Sequence, residues 1–223
     1  MQSPEIEKPI LYKEQTALAL ENFRISGTPM PSEFIHALAL IKASAAKANA
    51  EHAGLNDEIA IDIQRAAMEV VEGKHDDAFM VDVFQTGSGT STNMNVNEVI
   101  ATLATDKLGK PVHPNDHVNV GQSSNDVIPS AIHVSATLAI SRELIPALQS
   151  LMSAIDAKSI LYRETVKTGR THLMDAMPIT LGQELSGWSK QIQFAITRLI
   201  EVLPRISALA LGGTAVGTGV NTH

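Results

Sequence analysis

The chain has 223 residues, of which 44% are hydrophobic, 18% charged and 4% aromatic, so it can bury a substantial core and does not have a disordered composition. A formal charge of −7 with no local cluster of Lys and Arg excludes a nucleic-acid surface. The absence of cysteine excludes disulfides, thiol nucleophiles, zinc–thiolate sites and cysteine-held iron–sulfur clusters. With aromatics so scarce, the apolar mass is mostly Ala, Leu, Ile, Val and Met, which suits small-residue helix packing and an all-α fold.

The N-terminal stretch MQSPEIEKPI is acidic and has no apolar leader core. No apolar run approaches the roughly 18 residues of a membrane span, so a soluble protein of the cytoplasm or an organellar matrix is expected. The first predicted helix is MPSEFIHALALIKASAAKANAEHAG, with Ser32 as N-cap after Pro31, an apolar stripe at Phe34, Ile35, Leu38 and Ile41, and Gly54 as its stop. NDEIAIDIQRAAMEVVEG follows, with Asn56 as cap, carboxylates in the first turn, Ile59, Ile63, Ala66 and Val70 on one face, and Gly73 at the end. FMVDVF, residues 79–84, is strand-like, but six residues without a partner read better as an extended connection. Helical spacing resumes at NEVIATLATDKLG and stops at Gly109.

KPVHPNDHVNVGQSSND reads as a loop and as the boundary between two units, residues 1–120 and 121–223. A long helix is predicted from Asp126 to about Tyr162, with Pro129 in its first turn and a bend at Pro146. A helix so apolar on nearly every side belongs in a multi-helix bundle completed by other subunits. The last predicted helix opens with Thr180-x-x-Gln183 in capping-box spacing and runs to Gly212, with a kink at Pro204.

Three polar segments share one organisation: TGSGTSTNMN (86–95), GQSSND (121–126) and GRTHLMDAMP (169–178) each place Gly, Ser, Thr or Asn near a long helix. Helix N-termini carry unpaired N–H donors and partial positive charge, so hydroxyls and amides gathered there can hold carboxylate or phosphate oxygens. The residues alone leave a second reading open, in which each segment is only a cap; Asn125 and Thr180 suit that role. His172 is the one side chain of the third segment that exchanges protons near neutrality, as a general acid–base or as a structural histidine. His113 and His117 are four apart, but Pro114 and the loop composition spoil a metal-binding helix, so no metal is expected. Lys110, His113, Asn115 and Asp116 form either a secondary polar pocket or a solvated loop.

Four motifs, QTGSGTSTNMNVNEVIA, HPNDHVNVGQSSNDVIP, GRTHLMDAMPITLGQELSGW and ALGGTAVGTGVNTH, together resemble the class II fumarase branch of the fumarase/aspartase superfamily. The agreement runs from LYKEQTALALENFRISG to the last residue. The resemblance implies an all-α fold, an N-terminal helical domain to residue 120 followed by part of a long-helix bundle, and a homotetramer whose active sites are shared between subunits. It implies reversible hydration of fumarate to (S)-malate in the tricarboxylic acid cycle, without metal or organic cofactor. Matching substrate positions are Ser88, Gly89, Thr90, Asn93, Ser123, Ser124, Asn125 and Thr171, with His172 as the catalytic acid–base. A second, peripheral dicarboxylate site would use Lys110, His113, Pro114, Asn115 and Asp116.

The sequence also departs from that pattern. The family's Gly-Ser-Ser-x-Met-Pro-x-Lys-x-Asn-Pro loop, which carries the serine taking the C3 proton, has no match in these residues. The resemblance therefore implies an N-terminal fragment, inactive alone. Lys110 stands where the family usually has Arg, keeping the charge but losing the bidentate fork, and Met174 stands where Gln is common. Two rivals remain: aspartate ammonia-lyase of the same superfamily, against which TGSGT and QSSND speak, and a non-catalytic helical assembly module, against which the three intact polar segments speak.

Overall fold

The computed structural model of the chain describes residues 9–223; the first eight residues of the acidic N-terminal stretch lie outside them. Among the described residues there are seven α-helices and one two-stranded sheet: α1 Glu14–Asn22, α2 Ser32–His52, α3 Asp57–Val71, α4 Thr90–Leu108, α5 Ser124–Ala139, α6 Ile145–Leu161, β1 Val166–Thr171, β2 Met174–Thr180 and α7 Leu181–Ile206. Contacts divide the chain into a first unit, up to residue 135 together with 209–223, and a second, residues 136–208. The expected all-α architecture holds, with the small sheet as an addition.

In the first unit α2, α3 and α4 pack around one core. Leu38, Ile63, Val70, Val96, Val99 and Ile100 are wholly enclosed, while Ala39, Ala46, Ala66 and Ala67 let the helix backbones approach. Truncating one of the large aliphatic side chains to Ala costs about 2–5 kcal/mol, because the cavity left behind only partly collapses. Asn56 caps α3 as its sequence suggests, its side chain accepting from the N–H groups of Glu58 and Ile59. Ser32 does not cap α2: Pro31 holds the N-cap position and Ser32 is the first helical residue. The stretch 79–84 stays an extended connection, with an isolated bridge between Asp82 and Pro29.

Helix α4 begins at Thr90, seven residues before the spacing of its apolar residues suggested. The polar run from Thr90 onward thus forms the first two turns of the helix, and only residues 86–89 are its approach. Gly89 makes this start, in the left-handed conformation with φ +67°; a Cβ there would also press on the Ile128 side chain of α5 at 3.0 Å. Gly109 ends α4, again left-handed. α1 is anchored through its N-terminus, where the buried Glu98 carboxylate of α4 accepts from the N–H groups of Lys13, Gln15 and Thr16 and from Thr16 Oγ1.

The long helix predicted from residue 126 starts at Ser124 and is interrupted. A π-helical turn, Ile140–Leu144, separates α5 from α6 just before Pro146. The cause is Pro146, which lacks an N–H and whose ring would strike the carbonyl four residues back; one wider turn removes that clash. Asn125 lies inside α5 rather than capping it, and Ser123 Oγ accepts from the Asn125 N–H.

In the second unit α6 packs against α7, with the β1–β2 hairpin between them in sequence. Neither strand was legible in the sequence, because both are exposed and lack an apolar alternation. Thr180 and Gln183 form the predicted capping box of α7. That helix ends at Ile206, two residues after Pro204 and short of Gly212. Gly182 is required by close approach: a Cβ there would lie 2.6 Å from the Ser159 carbonyl oxygen and 2.7 Å from Arg163 Cα.

Replacing Glu98 by Gln puts an NH2 among the N–H donors of residues 13–16 and leaves buried groups unpaired, a loss of about 1–3 kcal/mol. Amide exchange in α1 should then accelerate while α2 and α3 stay protected. Unchanged exchange in α1 would contradict this role for Glu98.

Candidate functional site

The first two polar segments meet in the first unit. Thr90 and Ser91 occupy the first two positions of α4, where their N–H groups have no carbonyl four residues back within the helix. Gly89 cannot cap with a side chain, and Gln85 does so instead: its Oε1 accepts from the Thr92 N–H at 2.8 Å and its Nε2 donates to Thr92 Oγ1 at 2.6 Å. Ser88 and Thr90 share a hydroxyl–hydroxyl bond of 2.8 Å at the exposed rim. One turn further along α4, Asn93 is buried, and its Nδ2 donates to Ser124 Oγ at 3.2 Å. This contact joins segment one to segment two.

Behind the contact lies a group that the sequence reading missed. Lys42 of α2 is completely buried, and its Nζ donates to Asn93 Oδ1 at 2.8 Å, Asn119 Oδ1 at 2.8 Å and Gln122 Oε1 at 2.9 Å. Burial draws its pKa from 10.5 down to about 7, against the opposing pull of Asp126. The missed signal was helical spacing: Lys42 is four residues after Leu38 and one after Ile41, on the apolar stripe.

Asp126 is buried too. Its Oδ1 accepts from the Ser123 N–H at 2.8 Å, and its Oδ2 from the N–H groups of Gly212 at 3.2 Å and Thr214 at 2.9 Å. Asn125 Nδ2 donates to the Ala215 carbonyl at 2.9 Å. Segment 209–215 is thereby laid against the start of α5.

The third segment belongs to the second unit. Thr171 ends β1 and His172 is the first of two residues at the hairpin tip, both exposed. His172 and Leu173 have φ of +51° and +62°, the left-handed pair that a tight two-residue hairpin demands. Neither is glycine, so the tip stores about 1–2 kcal/mol per residue of backbone strain, a cost often met where a side chain must be presented in one direction. Met174 opens β2 and is exposed.

The residues of the second candidate site are also displayed. Lys110 Nζ pairs with Glu58 Oε2 at 3.0 Å, on the surface, so an incoming carboxylate would compete with Glu58. His113 Nδ1 accepts from the N–H groups of Asn115 and Asp116 as Pro114 opens a short π-helical turn, Pro114–Val118, and His117 Nδ1 accepts from the His113 N–H. Both Nδ1 lone pairs are thus turned to the backbone.

Compared with known proteins, residues 4–223 match the family model described as lyase. The chain belongs to this lyase family. It is 57% identical over 212 residues to the class II fumarate hydratase of Xylella fastidiosa (strain 9a5c), which covers 95% of the chain and 45% of that protein. With the class II fumarate hydratase of Halobacterium salinarum the identity is 54% over 214 residues, covering 94% of the chain and 46% of that protein. Among solved structures, the class II fumarase from Schistosoma mansoni superposes with a TM-score of 0.92 at 41% identity, covering 97% of the chain and 47% of that structure. The chain thus spans a little under half the length of the relatives it matches.

Upstream of the site, Asp82 steadies Gln85's approach. Its carboxylate accepts from the N–H groups of Phe84, Ser26 and Gly27 and from Ser26 Oγ, which together lower its pKa from 3.8 to about 2, Phe84 first. Because the folded-state pKa is depressed, this stabilisation is present above about pH 4 and is lost as pH falls towards 2. Asp82→Asn should therefore lower the melting temperature at neutral pH and flatten its decline between those two pH values. A variant that declines as steeply as the parent would refute the assignment.

Proposed function

We propose that this chain supplies one wall of the active site of a hydro-lyase that adds water to fumarate, giving (S)-malate, as in the tricarboxylic acid cycle. The observation carrying this reading is the Asn93–Ser124 contact, which gathers neutral donors from the ends of two helices into one surface. The relatives named class II fumarate hydratase support it. Removal of the C3 proton of malate drives charge onto the adjacent carboxylate, and preorganised hydroxyls, amides and helix N-termini stabilise that charge without a metal. In this reading Ser88, Gly89, Thr90, Asn93, Ser123, Ser124, Asn125 and Thr171 hold the dicarboxylate. His172 manages the proton of the C2 oxygen, as acid in dehydration and base in hydration.

Assembly is part of the proposal. In the second unit α6 buries no residue, and Leu151, Ile160, Leu161, Trp188, Phe194 and Ile200 are half exposed or more. Apolar surface on this scale suits burial against other copies in a homotetramer, with sites built from more than one subunit. The domain division at residue 120, the cytoplasmic location and the peripheral site around Lys110 and His113 belong to the same reading. No helix among the described residues is long and apolar enough to cross a membrane.

The test is a fumarate-absorbance assay on two preparations. These 223 residues, which contain no match to the serine-bearing loop, should show no turnover of malate. The same chain extended through the length its relatives span should dehydrate malate, and His172→Asn should reduce kcat by about 10²–10⁴-fold. Ammonia release from aspartate without malate dehydration would instead identify an ammonia-lyase, and no activity on either would leave a helical assembly module.

A further inference from the structure

Lys42 is expensive to bury, and nothing in the proposed chemistry uses it. An ammonium offers three N–H donors and no acceptor, and here all three point at amide oxygens, those of Asn93, Asn119 and Gln122. An amide whose oxygen faces a cation must turn its NH2 the other way. For Asn93 the other way is towards Ser124 Oγ, 3.2 Å from Nδ2, and Asn119 Oδ1, at 3.3 Å. A serine oxygen that accepts from Nδ2 still has its own proton to give.

We propose that Lys42 is a positioning residue for acid binding: its ammonium fixes the Asn93 amide so that Nδ2 donates to Ser124 Oγ, leaving the Ser124 hydroxyl proton for a carboxylate oxygen. The inference rests on the dicarboxylate reading only for the identity of that last acceptor. Lys42 touches no substrate in this arrangement; it acts through Asn93. Were the amide reversed, Oδ1 would take the Ser124 proton, and the hydroxyl would face an incoming carboxylate with lone pairs alone.

The surroundings favour an oriented ammonium. The groups it meets from α4 and from the 119–122 turn are uncharged amides, and the charged group acting on it is Asp126 of α5. Asp126 spends its carboxylate on three backbone N–H groups and makes no direct bond to Lys42. Its field favours the protonated Nζ against the larger, opposing effect of burial, while the amides fix the direction of the N–H bonds. Loss of the proton, with a midpoint near 7, leaves a neutral amine with two donors for three acceptors, so one of the three amides is released.

The experiment is NMR on the isotope-labelled chain, following Lys42 15Nζ, the Asn93 side-chain NH2 and Ser124 from about pH 6 to about pH 9. In the parent chain the Asn93 NH2 should show a cross-peak to Ser124 at low pH and shift with the same midpoint as Lys42 Nζ. An Asn93 NH2 that stays still while Lys42 titrates would overturn the proposal. Lys42→Met, if it keeps dispersed spectra, should lose the cross-peak and bind succinate roughly tenfold more weakly; a retained cross-peak would also overturn it. If that variant does not fold, the titration of the parent chain decides. Coupled titration without any succinate effect at Ser124 would uphold the orientation by Lys42 while removing the dicarboxylate reading.

Discussion

The buried ammonium of Lys42 is the constraint around which the first unit is arranged. Removing a charge from water costs several kcal/mol even after relaxation, and the fold offsets this with three amide oxygens at 2.8–2.9 Å and the field of Asp126. Those oxygens come from α4 and from the turn before α5, so satisfying one side chain of α2 fixes three pieces of chain together. Asp126 extends the arrangement to residues 212–214. The amides and hydroxyls proposed to meet substrate are the outer face of this polar core, and their orientation is inherited from it.

Under the proposed function, such an arrangement suits the binding of a dianion by a chain of net charge −7. A cation at the surface would attract the substrate but would also be screened and hydrated. A cation one layer behind neutral donors polarises them without exposing itself. Preorganisation of this kind removes the need for the donors to reorient as charge develops during reaction.

The helices were legible because their signals are local. Asn56, Gly73, Gly109 and the Thr180–Gln183 box each act through a neighbour within four residues, and the apolar stripes of α2 and α3 have the helical period. What escaped depends on partners distant in sequence. Lys42 lies on the apolar stripe of α2, but its role shows only once Asn93, Asn119 and Gln122 are folded beside it. The start of α4 escapes the apolar spacing because residues 90–95 have few apolar side chains, the polar atoms of Asn93 being satisfied by distant Lys42 and those of Thr92 by Gln85 just before the helix. The hairpin escaped because its pairing is made by backbone, with His172 and Leu173 forced left-handed where Asn-Gly would have announced the turn. The polar segments themselves were visible, but the Asn93–Ser124 contact that unites two of them was not.

The most direct test of the central claim, that Lys42, Asn93 and Ser124 act as one unit, is a double-mutant cycle by urea denaturation on Asn93→Ala and Ser124→Ala. Groups in one hydrogen-bonded network couple by about 0.5–3 kcal/mol, and a coupling in that range is expected here, abolished in a Lys42→Met background. Effects that add to within about 0.5 kcal/mol in the parent chain would contradict it.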